Sequence, residues 1–265
     1  MKPQQGATLI MVLLLLLLIS IVGVYAIRHS IVNLKLATNA QVQTLLMQTS
    51  DVALDHLEKN FERYEARNLS STPVGQVLLT GNQGKELQFC FKPTQMGKKA
   101  LDGRFFDLAE FRVVERESER KATGVSAALS GNIAGICDPE TMFSISRKAV
   151  VTQVSVVNPD DPAVELSRFD LSAKNSDLKD INIETQRVRV VVTSFAPALA
   201  SSVSIDDMNN CLKHRMMDDS LLKNRADAST GQVKVETLHQ CLNQLGVPLN
   251  TQMAEYVVRL SERKY

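Results

Sequence analysis

The residues best suited to chemistry in this chain are its four cysteines, Cys90, Cys137, Cys211 and Cys241. They are even in number and all lie beyond a long apolar stretch, a pattern that points to disulfides formed outside the cytosol. Of the three possible pairings, Cys90 with Cys137 and Cys211 with Cys241 is favoured. The first two share a β-rich section and the second two flank one C-terminal section; a nested pairing stays open. Each closed loop would stabilise the fold by about 3–4 kcal/mol by restricting the unfolded chain. Zinc is the competing chemistry, since Cys211 and His214 share a helical face at i, i+3 while His239 and Cys241 lie close together farther on. Those spacings are not a standard finger and extracytoplasmic thiols oxidise readily, so no metal or cofactor is expected.

Other constellations are weaker. Asp227 to Leu238 imitates a calcium loop, but Leu238 stands where a bidentate glutamate should close the shell and Gly231 occupies a ligand place. Asn158-Pro159-Asp160-Asp161-Pro162 reads as a turn, in which aspartates are favoured without any ion. Gly124 to Pro139 lacks phosphate-loop spacing and reads as a flexible strand connection. No GxSxG, HExxH or GxGxxG signature occurs, and the histidines are scattered, His29 and His56 in the N-terminal part and His214 and His239 as surface or packing residues. An enzyme is not expected. With 30 Lys plus Arg against 29 Asp plus Glu, the chain lacks the basic excess of a nucleic-acid binder. Lys92, Lys98, Lys99 and Arg104 therefore read as a solvated face, and direct DNA contact is not expected.

The elements that must position these residues begin at the N-terminus. Ala7 to Ile27 is free of charge and contains the leucine run Leu13 to Leu18. At the helical rise it reaches roughly 31 Å, close to the hydrocarbon thickness of a bilayer. Val24-Tyr25-Ala26 could end a secretory signal peptide, but the apolar region is too long and its N-terminal flank too weakly charged for that to be preferred. No proline occurs between Pro3 and Pro73, so the helix should continue to about Tyr64, on the order of 85 Å in all. From Ile31 to Tyr64 apolar residues recur mostly every three or four positions, as expected of a helix that packs on a domain.

Asn68 to Gly84 is rich in turn formers and reads as a linker. Lys85 to Lys92 alternates like a half-buried strand; Phe105 to Arg116, Ala149 to Val157 and Arg187 to Thr193 are further strands. Helices are expected over Ile205 to Met217, capped by Ser204, and over Lys234 to Leu245, stopped at Gly246. Ala254 to Leu260 reads as a closing strand, with a helix as the alternative. The fold class is α+β: a long N-terminal helix packed on an antiparallel sheet, with a small disulfide-braced C-terminal section. The expected divisions are a leader (1–6), a membrane half of the helix (7–27), an amphipathic half (28–66), the linker (67–84), a β-rich head (85–200) and the C-terminal region (201–265).

Gln5-Gly6-Ala7-Thr8-Leu9-Ile10, the leucine-rich span, Gly23 and Arg28 together resemble the N-terminus of PilX-type minor pilins of type IV pili. The likeness covers about the first 35 residues; farther on it is one of architecture. It implies cleavage after Gly6 by a prepilin peptidase, methylation of Ala7, and a head with the pilin roll. It also implies location in the bacterial inner membrane with the head in the periplasm, then incorporation into a pilus. The implied partners are the major pilin, other minor pilins, the inner-membrane assembly platform and a tip adhesin, and the implied uses are twitching, adhesion or DNA uptake. Major pilins carry glutamate where this chain has Met11. A carboxylate in hydrocarbon costs about 3 kcal/mol on insertion scales unless a neighbour's terminal ammonium pairs with it. Met11 has neither the cost nor the partner, which fits a tip or priming subunit with no neighbour beyond it. A minor pseudopilin of type II secretion and a membrane-anchored or secreted periplasmic binding protein are the alternatives.

Overall fold

A computed structural model describes residues 5–60, 69–93, 106, 109–116, 125–126, 135–144, 149–159, 183–200, 202–220 and 236–261. The chain divides into two compact units, residues 1–45 and residues 46–265. Helix α1 (Gln5–Asn60) runs through the first and supplies the opening element of the second. Nothing interrupts its hydrogen-bond ladder, since it holds no proline and, after Gly6, only Gly23. The hydroxyls of Ser20, Thr38 and Thr44 donate to the carbonyls of Leu16, Leu34 and Ala40, one turn back, which satisfies them without breaking the helix. The expected extension to Tyr64 lies outside the described residues.

The second unit is built on a sheet of β1 (Glu86–Cys90), β2 (Phe111–Arg116), β3 (Val125–Ser126), β4 (Val151–Val157), β5 (Ile183–Phe195) and β6 (Leu249–Ser261). Its order is β3-β2-β1-β4-β5-β6 and every neighbouring pair is antiparallel. Two meanders, β1-β2-β3 and β4-β5-β6, thus meet where β1 pairs with β4. Phe89 stands opposite Phe111 on one side and Val154 on the other. β5 and β6 pair from Ile183 opposite Ser261 to Phe195 opposite Leu249. The closing element is therefore a strand, and the helical alternative is excluded.

Both faces of this sheet are covered. On one, Ala53 and Leu57 of α1 and Val74 and Val77 of α2 (Pro73–Val77) pack with Leu87, Phe89, Val154, Val156, Val188, Val190 and Val192. Leu46, Ser50, Ala53 and Leu57 recur every three or four residues, which keeps one stripe of α1 buried. The Ser50 hydroxyl donates to that of Ser194 at 2.9 Å, so a polar residue can sit in this stripe. On the other face, α3 (Ile205–His214) and α4 (Leu238–Gln244) bury Met208, Leu212, Leu238 and Leu242 with Val151, Val191, Phe195 and Leu249.

Several expectations need correction. β1 is buried at every residue, not half-buried, because a second layer covers the face that carries Glu86 and Gln88; β4 is buried throughout as well. The presumed linker contains α2: the Thr72 side chain accepts from the Gly75 N–H and Pro73 occupies the first turn, where its missing N–H costs nothing. Ser204 caps α3 as expected, but the helix ends at His214, three residues early. α4 starts at Leu238, since Thr237 and Gln240 form a reciprocal capping box that fixes its first turn. Gly246, at φ +78°, ends that element as expected.

Candidate functional site

Two regions carry the chemistry: the apolar part of α1, and a buried polar cluster between the sheet and the C-terminal helices. Among the described residues α1 is the one helix long and apolar enough to cross a membrane, judged by length and composition; a signal sequence would meet the same criterion. Its large apolar side chains from Leu9 to Leu36 are exposed, including Met11 at 70%. Gly6 and Ala7 lie in the first turn of α1. Tyr25 and His29 bring their rings to 6.1 Å, and His29 Nδ1 lies 3.0 Å from Asn33 Nδ2. A polar and aromatic group therefore straddles Ile27, where the charge-free stretch ends, the pattern of a membrane interface.

The cysteines are joined Cys90 to Cys137 and Cys211 to Cys241, with no free cysteine. Cys211 and Cys241 are therefore not available as zinc thiolates, and no cluster of possible metal ligands occurs among the described residues. His239 instead meets the Thr251 hydroxyl at 3.0 Å, and the His56 ring packs against Phe91 with centroids 5.6 Å apart. In the segment expected to be a flexible connection, Val125–Ser126 form β3 and residues 135–137 are buried, with Ile136 and Cys137 in the core. Gly135 makes this possible, because a Cβ there would lie 2.7 Å from Arg112 N and from Gln88 O. Gln153 holds the same segment, donating to Gly135 O and accepting from the Cys137 N–H. Lys92 is paired with Glu110 at 2.6 Å. Lys98, Lys99, Arg104, Asp160, Asp161 and most of the calcium-loop imitation lie outside the described residues.

Sequence reading missed the buried cluster. Glu86 and Gln88 of β1 and Arg112 of β2 share the face that α3 covers, and Gln88 stands directly opposite Arg112. The Glu86 carboxylate accepts from the backbone N–H groups of Met217 and Asp218 and from Gln88 Nε2. Arg112 donates Nε and Nη2 to Gln88 Oε1, and its guanidinium reaches the carbonyls of Leu212 and Lys213 in the last turn of α3. A cation there suits the negative end of the helix. Beside it, Arg189 of β5 pairs with Asp218 at 3.0 Å and with Glu255 of β6 at 2.9 Å. One signal was available: Cys90 lies on the same face as Glu86 and Gln88, and a disulfide there brings another segment over that face.

Burial pushes the Glu86 carboxyl up from 4.5 to about 7, against the lowering effect of the Asp218 and Met217 N–H bonds; the Asp218 charge pushes it up as well. Arg112 is lowered by burial to about 10, opposed by the Glu86 charge, and stays a cation at neutral pH. Between pH 4.5 and about 7 the folded protein holds a proton that the unfolded chain has released. Stability from this group is therefore fully present below 4.5 and is lost as pH rises through about 7, by about 3 kcal/mol in all. Glu86→Gln is expected to flatten this part of the stability profile in denaturant titrations from pH 4.5 to 8; an unchanged slope would assign the dependence elsewhere.

Compared with family models, curated proteins and solved structures, the chain gives no match.

Proposed function

We propose that the chain is a non-enzymatic, membrane-anchored filament subunit: a minor pilin that primes assembly of a type IV pilus from the inner membrane. The observation that carries this reading is α1, whose large apolar side chains from Leu9 to Leu36 are exposed while its Ala53 and Leu57 lie in the core against the sheet. An exposed apolar surface of this extent needs lipid or other apolar helices around it. One helix can meet both needs in turn, as an anchor before assembly and as a seam between subunits afterwards. A prepilin peptidase would cut after Gly6, Ala7 would be methylated, and Met11, unable to ionise, would place the subunit in the tip or priming complex. A preassembled cluster with other minor pilins, held at the inner-membrane platform and topped by a tip adhesin, would offer the major pilin a ready helical seat. It would thereby lower the cost of starting a filament that serves twitching, adhesion or DNA uptake.

Gly6→Phe tests the assembly role. The bulky residue is expected to block cleavage, leave the uncut chain in the membrane and reduce the number of pili per cell. Normal piliation with uncut chain would refute it. Met11 also fits the tip subunit of a type II secretion pseudopilus, and deletion of the gene separates the two: loss of pili supports the pilus, loss of secreted enzymes with pili intact the pseudopilus.

A further inference from the structure

We infer that the free edge of β6 is a docking site for an extended segment of a different protein, carrying a basic residue flanked by apolar ones on one face. The inference does not depend on the filament reading. β6 is 13 residues long, and among the described residues it is paired only on its β5 side. Every second residue of such an edge strand turns its N–H and C=O away from the sheet. Edge strands are usually guarded by proline, charged side chains, a bulge or short length, and β6 carries charge only at Glu255 and Arg259. β6 holds no proline or lysine, and its register with β5 is continuous over all 13 pairs.

The side chains specify the occupant. On the face that carries Leu249, the strand presents Met253, Glu255 and Val257 at alternate positions, with Met253 50% and Val257 68% exposed. Glu255, between them, takes Arg189 at 2.9 Å and Arg187 at 3.6 Å, both on Oε1. Its Oε2 meets no donor among the described residues. An incoming strand could therefore cover Met253 and Val257 with apolar side chains and give Oε2 a lysine or arginine between them. A second copy fits less well. The antiparallel register that sets Met253 against Val257 of the other copy also sets Glu255 against Glu255, and like charges directly opposite are destabilising.

The test uses the full chain in detergent micelles and a fluorescein-labelled nonapeptide of alternating valine and threonine, with lysine replacing the central valine. Saturable binding is expected, and NMR or hydrogen exchange should show protection of alternate β6 amides on adding peptide. Met253→Lys and Val257→Lys should each weaken binding by about tenfold. So should glutamate in place of the peptide's central lysine, a control that leaves the protein untouched. Methylating alternate peptide amides should abolish binding. Equal binding of the lysine and glutamate peptides, or equal binding to Val257→Lys, would overturn the inference. So would a micelle-corrected dimer of the full chain that Val257→Lys converts to monomer, since the edge would then belong to a second copy.

Discussion

Replacing Arg112 with methionine is expected to lower the unfolding free energy by about 3–5 kcal/mol at neutral pH. The guanidinium satisfies three acceptors at once: Gln88 Oε1 and the carbonyls of Leu212 and Lys213. Methionine fills much of the volume and offers no donor, so those acceptors stay buried and unpaired. Glu86 also loses its neighbouring cation, which drives its carboxyl farther toward the protonated form. The loss should therefore be smaller at pH 5, where Glu86 is already protonated, than at pH 8. In a Glu86→Gln background the same change should cost at least about 1 kcal/mol less, because the two residues belong to one network. Denaturant unfolding of the full chain, followed by hydrogen exchange of the β1 and α3 amides, reads all three quantities. A cost under about 1 kcal/mol at every pH would mean that the cluster is hydrated in solution.

The second large effect concerns the disulfides. Cys211→Ser with Cys241→Ser, and separately Cys90→Ser with Cys137→Ser, should each cost about 4 kcal/mol, from loops of 30 and 47 residues. The two pairs differ in what they release. The first joins α3 to α4, and the segment just after α3 supplies the Met217 and Asp218 N–H groups that hold Glu86. Its loss should admit water to Glu86 and remove most of the pH dependence between 4.5 and 7 along with the stability. The second ties residues 135–137 over the opposite end of the β1 face and should leave that pH dependence in place. Identical pH profiles for the two variants would contradict this division of roles.

Much of the architecture was legible because it rests on local signals. Prolines and glycines are so sparse before Pro73 that a long helix is the only economical reading, and Ser204 and Gly246 mark helix ends by their own backbone chemistry. The alternation of Ala254 to Leu260 marks β6 but stops short of its full span from Leu249 to Ser261. Its first residues, Leu249-Asn250-Thr251-Gln252, look like a turn and become strand only because β5 pairs with them. The buried cluster was illegible for a related reason. Alternation in β1 separates Leu87 and Phe89 from Glu86 and Gln88, but it cannot tell a polar face that meets water from one that meets Arg112, Met217 and Asp218. That distinction is made by β2, 24 residues on at Arg112, and by the segment at Met217, 131 residues on from Glu86.

The proposed function requires that the apolar front of α1 be retained in the mature protein and used twice, first in lipid and then against other helices. Mass spectrometry of the mature chain, isolated from the cell envelope with its N-terminus determined, tests this most directly. The expected chain begins at Ala7, carries one added methyl group on its terminal nitrogen and keeps Leu13 to Leu18. A mature chain beginning at Ile27 would show a discarded signal sequence, and one beginning at Met1 an unprocessed anchor; either would contradict the account.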